Sequence, residues 1–322
     1  MNEKGTKAVV IGAGQVGAAT AYTLMLTGLV SELVIIDLNQ NKARGEALDI
    51  AHGMPLCPPA EVYAGDYPDC AGADIVIITA GANQKPGETR LDLLAKNCAV
   101  FGSIVPKAVE YAPDALYLVV TNPVDALTLE TIRLSGLPAG RVIGTGTVLD
   151  TSRLRYLLSQ HTGIDPRNIH AFVLGEHGDS EFVAWSRARI AGMTLDEYCA
   201  DCGRCKGPIS AILDSDIENQ VRRAAYSIIE LKGATYYAIA VAVRRIVEAI
   251  LRDEQSILTV STLLEGQYGL DGVCLSVPAI VGRKGVERVL EVGLDDDEKA
   301  ALTASAKAIT TAMADRRQDA GR

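Results

Sequence analysis

Lys7-Ala8-Val9-Val10-Ile11-Gly12-Ala13-Gly14-Gln15-Val16-Gly17 is the stretch on which the fold turns. The run from Lys7 to Ile11 is apolar and β-branched, as a central parallel strand requires. Three glycines follow at the spacing Gly-x-Gly-x-x-Gly, and an apolar-rich helix is predicted from there to about Leu29. Gly12 permits a tight turn, Gly14 removes the side chain that would obstruct a pyrophosphate, and Gly17 lets helix and strand pack closely. The first turn of the helix, at Gln15 and Val16, then faces the phosphates with its positive end. Taken alone, such a glycine pattern is weak, and a plain turn would account for it. Here a second strand, Glu32 to Ile36, ends in Asp37. A carboxylate at that point accepts hydrogen bonds from both ribose hydroxyls and repels a 2′-phosphate, so NAD is favoured over NADP.

Working outward, strands and helices keep alternating. Short strands are predicted at Glu61–Ala64, Asp74–Thr79, Leu116–Val120 and from Arg141, with helices at Gln40–Ala51, Arg90–Tyr111 and Val124–Leu134. That alternation implies an α/β protein with a Rossmann-type, doubly wound parallel sheet, whose ligands lie beyond the carboxyl ends of the strands. From about Gly144 the pattern changes. A strand at Ile169–Leu174, a hairpin of Phe182–Ser186 with Arg189–Gly192, and helices at Ile209–Leu231 and Thr235–Leu251 are predicted. Strands at Gln255–Leu263 and Val273–Val281 and a last helix, Glu298–Arg316, complete it. The expected division is a dinucleotide-binding domain over 1–144 and an α+β substrate domain over 145–322.

Composition narrows the function. Lysine and arginine number 31 against 40 acidic residues, a net charge of −9, with no basic block to track a phosphate backbone. Nucleic acid is therefore not expected as a partner. Glycines and polar residues interrupt the apolar run from Ala8 to Val30, so it is not a signal sequence, and the run from Ala234 to Val243 is too short to span a bilayer. A cytoplasmic protein is expected. Seven cysteines fit a reducing compartment. Cys199-x-x-Cys202-x-x-Cys205 has a spacing that suits zinc, but no fourth ligand lies nearby, so it reads either as a partial metal site or as a loop of free thiols. No metal is assigned.

The chemistry centres on Gly175-Glu176-His177-Gly178-Asp179-Ser180-Glu181, which follows an abrupt strand end. An isolated histidine there could be only a polar loop residue, yet it is also the side chain that exchanges protons most readily near neutral pH. Gly81-Ala82-Asn83-Gln84-Lys85-Pro86-Gly87-Glu88-Thr89-Arg90 follows the fourth strand, Thr121-Asn122-Pro123-Val124-Asp125 the fifth, and Leu149-Asp150-Thr151-Ser152-Arg153 and Lys232-Gly233-Ala234-Thr235 come later. In this order and spacing the chain resembles the lactate/malate dehydrogenase family over nearly its whole length.

The resemblance implies hydride transfer between NAD and a 2-hydroxy acid. His177 is then the proton donor and acceptor, Asp150 orients it, and Arg153 holds the substrate carboxylate as a planar fork. Arg90 polarises the carbonyl, Asn122 orients it through a cis Asn122–Pro123 bond, and Gly81, Ala82, Thr121 and Asn122 line the cofactor. Gln84 brings no charge where malate-specific members carry arginine, so a second substrate carboxylate would be left unpaired. With Thr235 narrowing the pocket, pyruvate and L-lactate are the expected pair, as in fermentation. Arg155 and His170 match residues that bind fructose 1,6-bisphosphate in the activated bacterial enzymes of this family, although they also read as a surface arginine and a strand histidine. A homotetramer is implied. The competing reading, a dinucleotide-binding sensor without turnover, has no need of His177, Asp150, Arg90 and Arg153 together.

Overall fold

The strand β1 (Lys7–Ile11) lies inside a nine-stranded sheet and is bordered on one side by β2 (Glu32–Ile36) and on the other by β4 (Ile75–Ile78). The structure, a computed structural model, describes residues 5–82, 90–202 and 216–320. With β3 (Glu61–Ala64), β5 (Leu116–Val119) and β6 (Val142–Gly144), the first half runs in the order β3-β2-β1-β4-β5-β6, every pair parallel. The order reverses between β1 and β4, the point at which sheets of this kind hold a ligand beyond the carboxyl ends of their strands.

Apart from the edge strand β3, each strand buries both faces, which explains its near-continuous apolar run. Val9, Ile11, Val34, Ile36, Val76 and Ile78 point into one core, closed by Phe101 and Val105 of α3 (Arg90–Tyr111) and Leu127 of α4 (Val124–Ser135). Ala8, Val10, Leu33, Ile35, Ile75 and Ile77 point the other way. They meet Leu24 and Met25 of α1 (Gln15–Thr27), Ile50 of α2 (Gln40–His52), and Val243, Ile246 and Val247 of α8 (Tyr237–Leu251).

The sheet does not end with the first half. The long strands β12 (Ser256–Glu265) and β13 (Asp271–Gly282) and a strand absent from the sequence reading, β14 (Gly285–Val289), extend it antiparallel beyond β6. The joint is Ser261 of β12 opposite Gly144. A third core, around Leu154, Leu158, Ile169, Val173, Ile190 and Val221, belongs to the second half. It includes α5 (Val148–Thr162), α6 (Leu195–Asp201) and α7 (Asp216–Lys232).

Four expectations for the second half need correction. The run Ile169–Leu174 is not one strand: β7 (Ile169–His170) and β8 (Val173–Leu174) belong to different sheets. Between them the Ala171 carbonyl accepts from Arg155 Nε at 3.3 Å and the Phe172 carbonyl from the Ala184 N–H at 3.0 Å, so the chain changes partners in mid-run. Phe182–Ser186 and Arg189–Gly192 do not pair with each other. β9 (Phe182–Val183) pairs with β8, while β10 (Arg189–Ile190) forms a hairpin with β11 (Met193–Thr194). Ala191 and Gly192, at φ 53° and 82°, form its two-residue turn, where positive φ matches the twist of the strands.

The helix expected from Thr235 begins at Tyr237, because Gly233 at φ 83° ends the preceding helix and the chain needs three more residues to turn. The last helix, α9 (Asp296–Ala320), starts earlier than Glu298. Asp295 accepts from the Glu298 N–H at 2.9 Å and Glu298 accepts from the Asp295 N–H at 3.1 Å, a reciprocal cap. Of the helix expected over 209–231, the first seven residues lie outside the described residues. No helix among the described residues is long and apolar enough to cross a membrane.

Candidate active site and dinucleotide crevice

At the β1–α1 turn Gly12 adopts φ 114°, and a Cβ there would come within 2.5 Å of the Ala80 nitrogen. At Gly17 a Cβ would meet the Gly12 carbonyl at 1.7 Å. Gly14 differs: nothing lies within 4 Å of where its Cβ would stand, so its missing side chain leaves space open to solvent. The first turn of α1 carries no side-chain cap and no acidic residue, so its N–H groups remain available to an anion. Asp37 Oδ2 accepts from the Ala13 N–H at 2.6 Å and Oδ1 from the Asn39 N–H at 2.8 Å. The carboxylate offered to a ribose thus also fixes the glycine turn, a role the sequence reading did not contain.

The neighbouring strand ends are laced together. Thr79 Oγ1 donates to the Gly12 carbonyl at 2.9 Å, and Thr121 Oγ1 to the Ala80 carbonyl at 2.9 Å. Asn97, fully buried on α3, accepts from the Ala82 N–H at 2.7 Å and donates to the Asn122 carbonyl at 2.7 Å. It therefore sets the backbone at Gly81–Ala82 and at Asn122 together. The Asn122–Pro123 peptide is cis, as expected. Gln84 lies outside the described residues, as does the side chain of Arg90, whose backbone opens α3. Cys205 lies outside them too; Cys199 is buried in the third core, and the half-buried Cys202 donates from Sγ to the Cys199 carbonyl at 3.5 Å.

Asp150 sits in the first turn of α5 and is 1% exposed. Its Oδ2 is 2.6 Å from His177 Nδ1, and its Oδ1 is 2.7 Å from Arg153 Nη1. Arg153 lies one helical turn on, and among the described residues the remainder of its donor fork is left for another acceptor. Thr147, at the N-cap of α5, and Thr151 within the helix bind the Val173 carbonyl at 2.5 Å and the Val173 N–H at 3.0 Å. The helix bearing Asp150 is thereby fixed to the strand that leads to His177.

The histidine loop is anchored at every step. Gly175, at φ 96°, exchanges two 3.0 Å backbone bonds with Ser276 of β13. The Glu176 N–H donates to Ser305 Oγ at 2.6 Å, and the His177 N–H donates to Asp125 Oδ2 at 2.8 Å. Asp125, in the first turn of α4, is 1% exposed. Burial pushes its carboxyl up to about 6, with the nearby Ser261 hydroxyl and the His177 N–H opposing. Asp125, Ser276, Ser305 and Asn97 have no role in the sequence reading, because their partners are distant in the chain.

Burial alone would drive the imidazole toward its neutral form. The charge and hydrogen bond of Asp150, aided by Glu181 and Asp125, outweigh it and hold His177 up at about 9. Asp150 is pushed up by burial and pulled down further by His177 and Arg153, so it stays ionised. The result is an imidazolium that can give a proton at neutral pH, beside a guanidinium that can take a carboxylate.

Two family models match the chain in succession: the lactate/malate dehydrogenase NAD-binding domain over residues 6–144, and the lactate/malate dehydrogenase alpha/beta C-terminal domain over 147–319. The chain belongs to the lactate/malate dehydrogenase family. It is 61% identical over 292 residues to an L-lactate dehydrogenase of Acetivibrio thermocellus, covering 91% of each chain. L-lactate dehydrogenase 1 of Clostridium acetobutylicum is 58% identical over 312 residues, covering 97% of this chain and 98% of that one. Among solved structures, the minor L-lactate dehydrogenase of Enterococcus mundtii, in a ligands-bound form, superposes with a TM-score of 0.90 at 42% identity, over 95% and 97% of the two chains. An NAD-dependent oxidoreductase of this family therefore needs a nicotinamide site and a proton relay, and the crevice offers groups suited to both.

Arg155 bonds the backbone one residue beyond His170. Arg155 donates from Nε to the Ala171 carbonyl, next to His170, and its guanidinium lies 5.9 Å above the Phe172 ring. Burial lowers its affinity for its proton, so the side chain would gain from an anion. His170 is exposed.

Proposed function

We propose that this protein is an L-lactate dehydrogenase that reduces pyruvate to L-lactate with NADH and runs the reaction in reverse. The observation that carries this reading is the shared Asp150 carboxylate, with one oxygen on His177 and the other on Arg153. The relatives named L-lactate dehydrogenase support it. The reduced nicotinamide supplies the hydride. Gly12, Gly14, Gln15, Val16 and Gly17 would hold its pyrophosphate, Asp37 the adenosine ribose, and Gly81, Ala82, Thr121 and Asn122 the nicotinamide half.

The protein's own groups do the rest. Arg153 binds the substrate carboxylate, and Asn122 and Arg90 orient and polarise the carbonyl. His177 Nε2 gives its proton to the carbonyl oxygen, while Asp150 on Nδ1 holds the ring and stabilises its charge. In the reverse direction Nε2 takes the hydroxyl proton. Gln84 and Thr235 favour a methyl group over a second carboxylate. Residues 1–144 would form the NAD-binding domain and 145–322 the substrate domain, in a cytoplasmic homotetramer serving glycolytic fermentation. Arg155 and His170, repeated by twofold symmetry, would cradle fructose 1,6-bisphosphate as an activator.

The test is NADH oxidation with pyruvate, oxaloacetate and bulkier 2-keto acids, with and without fructose 1,6-bisphosphate, beside NADH binding by protein fluorescence. Pyruvate should be preferred, and the bisphosphate should lower its KM. NADH binding without turnover would favour the sensor instead. No effect of the bisphosphate on saturation or thermal stability would remove Arg155 and His170 from the account.

A further inference from the structure

Glu181 has no role in the mechanism above, yet it is 4% exposed and its Oε2 is 3.9 Å from His177 Nδ1. Asp150, His177 and Glu181 place one polar atom each within 4.8 Å of one another. Two carboxylates this close and this buried repel strongly if both are charged. Asp150 holds the nearby cations directly, at 2.6 and 2.7 Å. Arg222, facing from α7, gives its Nη2 to the Glu181 backbone carbonyl at 2.9 Å and to Glu218 at 2.7 Å. Asp125 faces the opposite side of the loop, on the His177 N–H, and Asp179 accepts from Tyr226 at 3.1 Å. Glu176 is bonded to Ser180. The Glu181 carboxyl is therefore the group of this cluster that gives up its charge.

We propose that Glu181 is a specificity-determining neutral acid in the substrate pocket, and that its ionisation sets the alkaline limit for binding a 2-oxo carboxylate. This rests on the proposed lactate dehydrogenase reading. With Glu181 protonated, ionised Asp150 and the cations His177 and Arg153 sum to one net positive charge on the ring side of His177, Asp125 lying instead on its backbone N–H. Ionised, Glu181 cancels it. Burial and the charge of Asp150 push Glu181 up to about 8, against the pull of His177, Arg153 and Arg222. The imidazole keeps its proton to about 9. Between these two values the protein would retain its acid catalyst and lose its substrate.

The test compares wild type with Glu181→Gln, a fixed neutral isostere, measuring KM and kcat for pyruvate from pH 6 to 10 beside NADH binding. In wild type, KM should begin to rise near pH 8, about tenfold per pH unit, while kcat holds. In Glu181→Gln the rise should move up but stop short of pH 9, because the variant lacks the Glu181 charge that helps raise His177, with a loss of about two- to threefold in kcat/KM at pH 7 from the altered donor. A tenfold increase in the variant's KM at pH 7, or a KM profile matching wild type, would overturn the proposal. Loss of pyruvate turnover by wild type at neutral pH would instead defeat the functional reading itself. Should the variant fail to fold, wild-type protein carrying carboxyl-labelled glutamate provides a second measurement by carbon NMR. One buried glutamate should titrate near pH 8, and the absence of any such glutamate would also overturn it.

Discussion

Replacing Asp150 with asparagine removes one charge from a site where its effect can be worked through. The carboxylate keeps His177 at about 9 instead of its ordinary 6.5. That difference, 9 − 6.5, is about 2.5 pH units, on the order of 3 kcal/mol in favour of the imidazolium. Without it, burial would be opposed only by the smaller effects of Glu181 and Asp125, and the imidazole should fall back to about 6.5. The sign follows directly. A raised pKa supplies the proton donor at pH values below it, and lowering that pKa withdraws the donor from neutral solution. At pH 7.5 the imidazolium fraction should fall from nearly all of the protein to about one-tenth or less. Asparagine can also present its amide N–H to Nδ1 and select the wrong tautomer, which brings the expected loss in kcat/KM for pyruvate to about 10²–10⁴-fold. Steady-state NADH oxidation from pH 5 to 10 measures it, with NADH fluorescence titration as the control. Activity should be largely lost by pH 7, while NADH affinity changes by less than about threefold. Retention of the imidazolium-dependent activity up to pH 9 would refute the argument.

Other outcomes follow from the same geometry. His177→Ala should remove most turnover and leave NADH affinity within about threefold, since the ring acts on the substrate oxygen. Gly12→Ala and Gly14→Ala should separate folding from binding. The first forces a Cβ onto the Ala80 backbone at φ 114° and should cost more than about 2 kcal/mol in thermal melting. The second meets no protein atom, so it should leave the melting temperature within about 2 °C while weakening NADH about tenfold or more. Gln84→Arg should swing the oxaloacetate-to-pyruvate ratio of kcat/KM by about tenfold or more toward oxaloacetate, and an unchanged ratio would show that position 84 does not read the substrate.

The first half of the fold was legible because its signals are local. The run from Lys7 to Gly17 carries strand, turn and helix in eleven residues, and the strand boundaries from Glu32 to Ile36 match the structure. The second half depends on pairings between distant segments. An apolar run such as Ile169–Leu174 does not reveal that Arg155 and Ala184 draw its middle apart. The Asp150–His177–Arg153 cluster could be anticipated because it rests on sequence motifs and a helical spacing of three. The supports beneath it could not. Asp125 reaches His177 across 52 residues and Ser305 reaches Glu176 across 129, and no periodicity encodes those meetings. Charge also hides in the linear chain, since the burial that alters Glu181 is visible only once Asp150 lies beside it.

The sheet joint at Gly144 has a consequence for handling the molecule in pieces. The family's two-part division ends its first model at Gly144, yet that residue is hydrogen-bonded to Ser261 through the same sheet. A fragment cut there would leave β6 as a raw edge, open to pairing with any strand that came near. Expressed alone, the nucleotide half should self-associate, and a peptide spanning β12 and β13 should restore it as a monomer. The halves recognisable as modules by descent would then be a single object in mechanics, with one continuous ribbon as the spine of both.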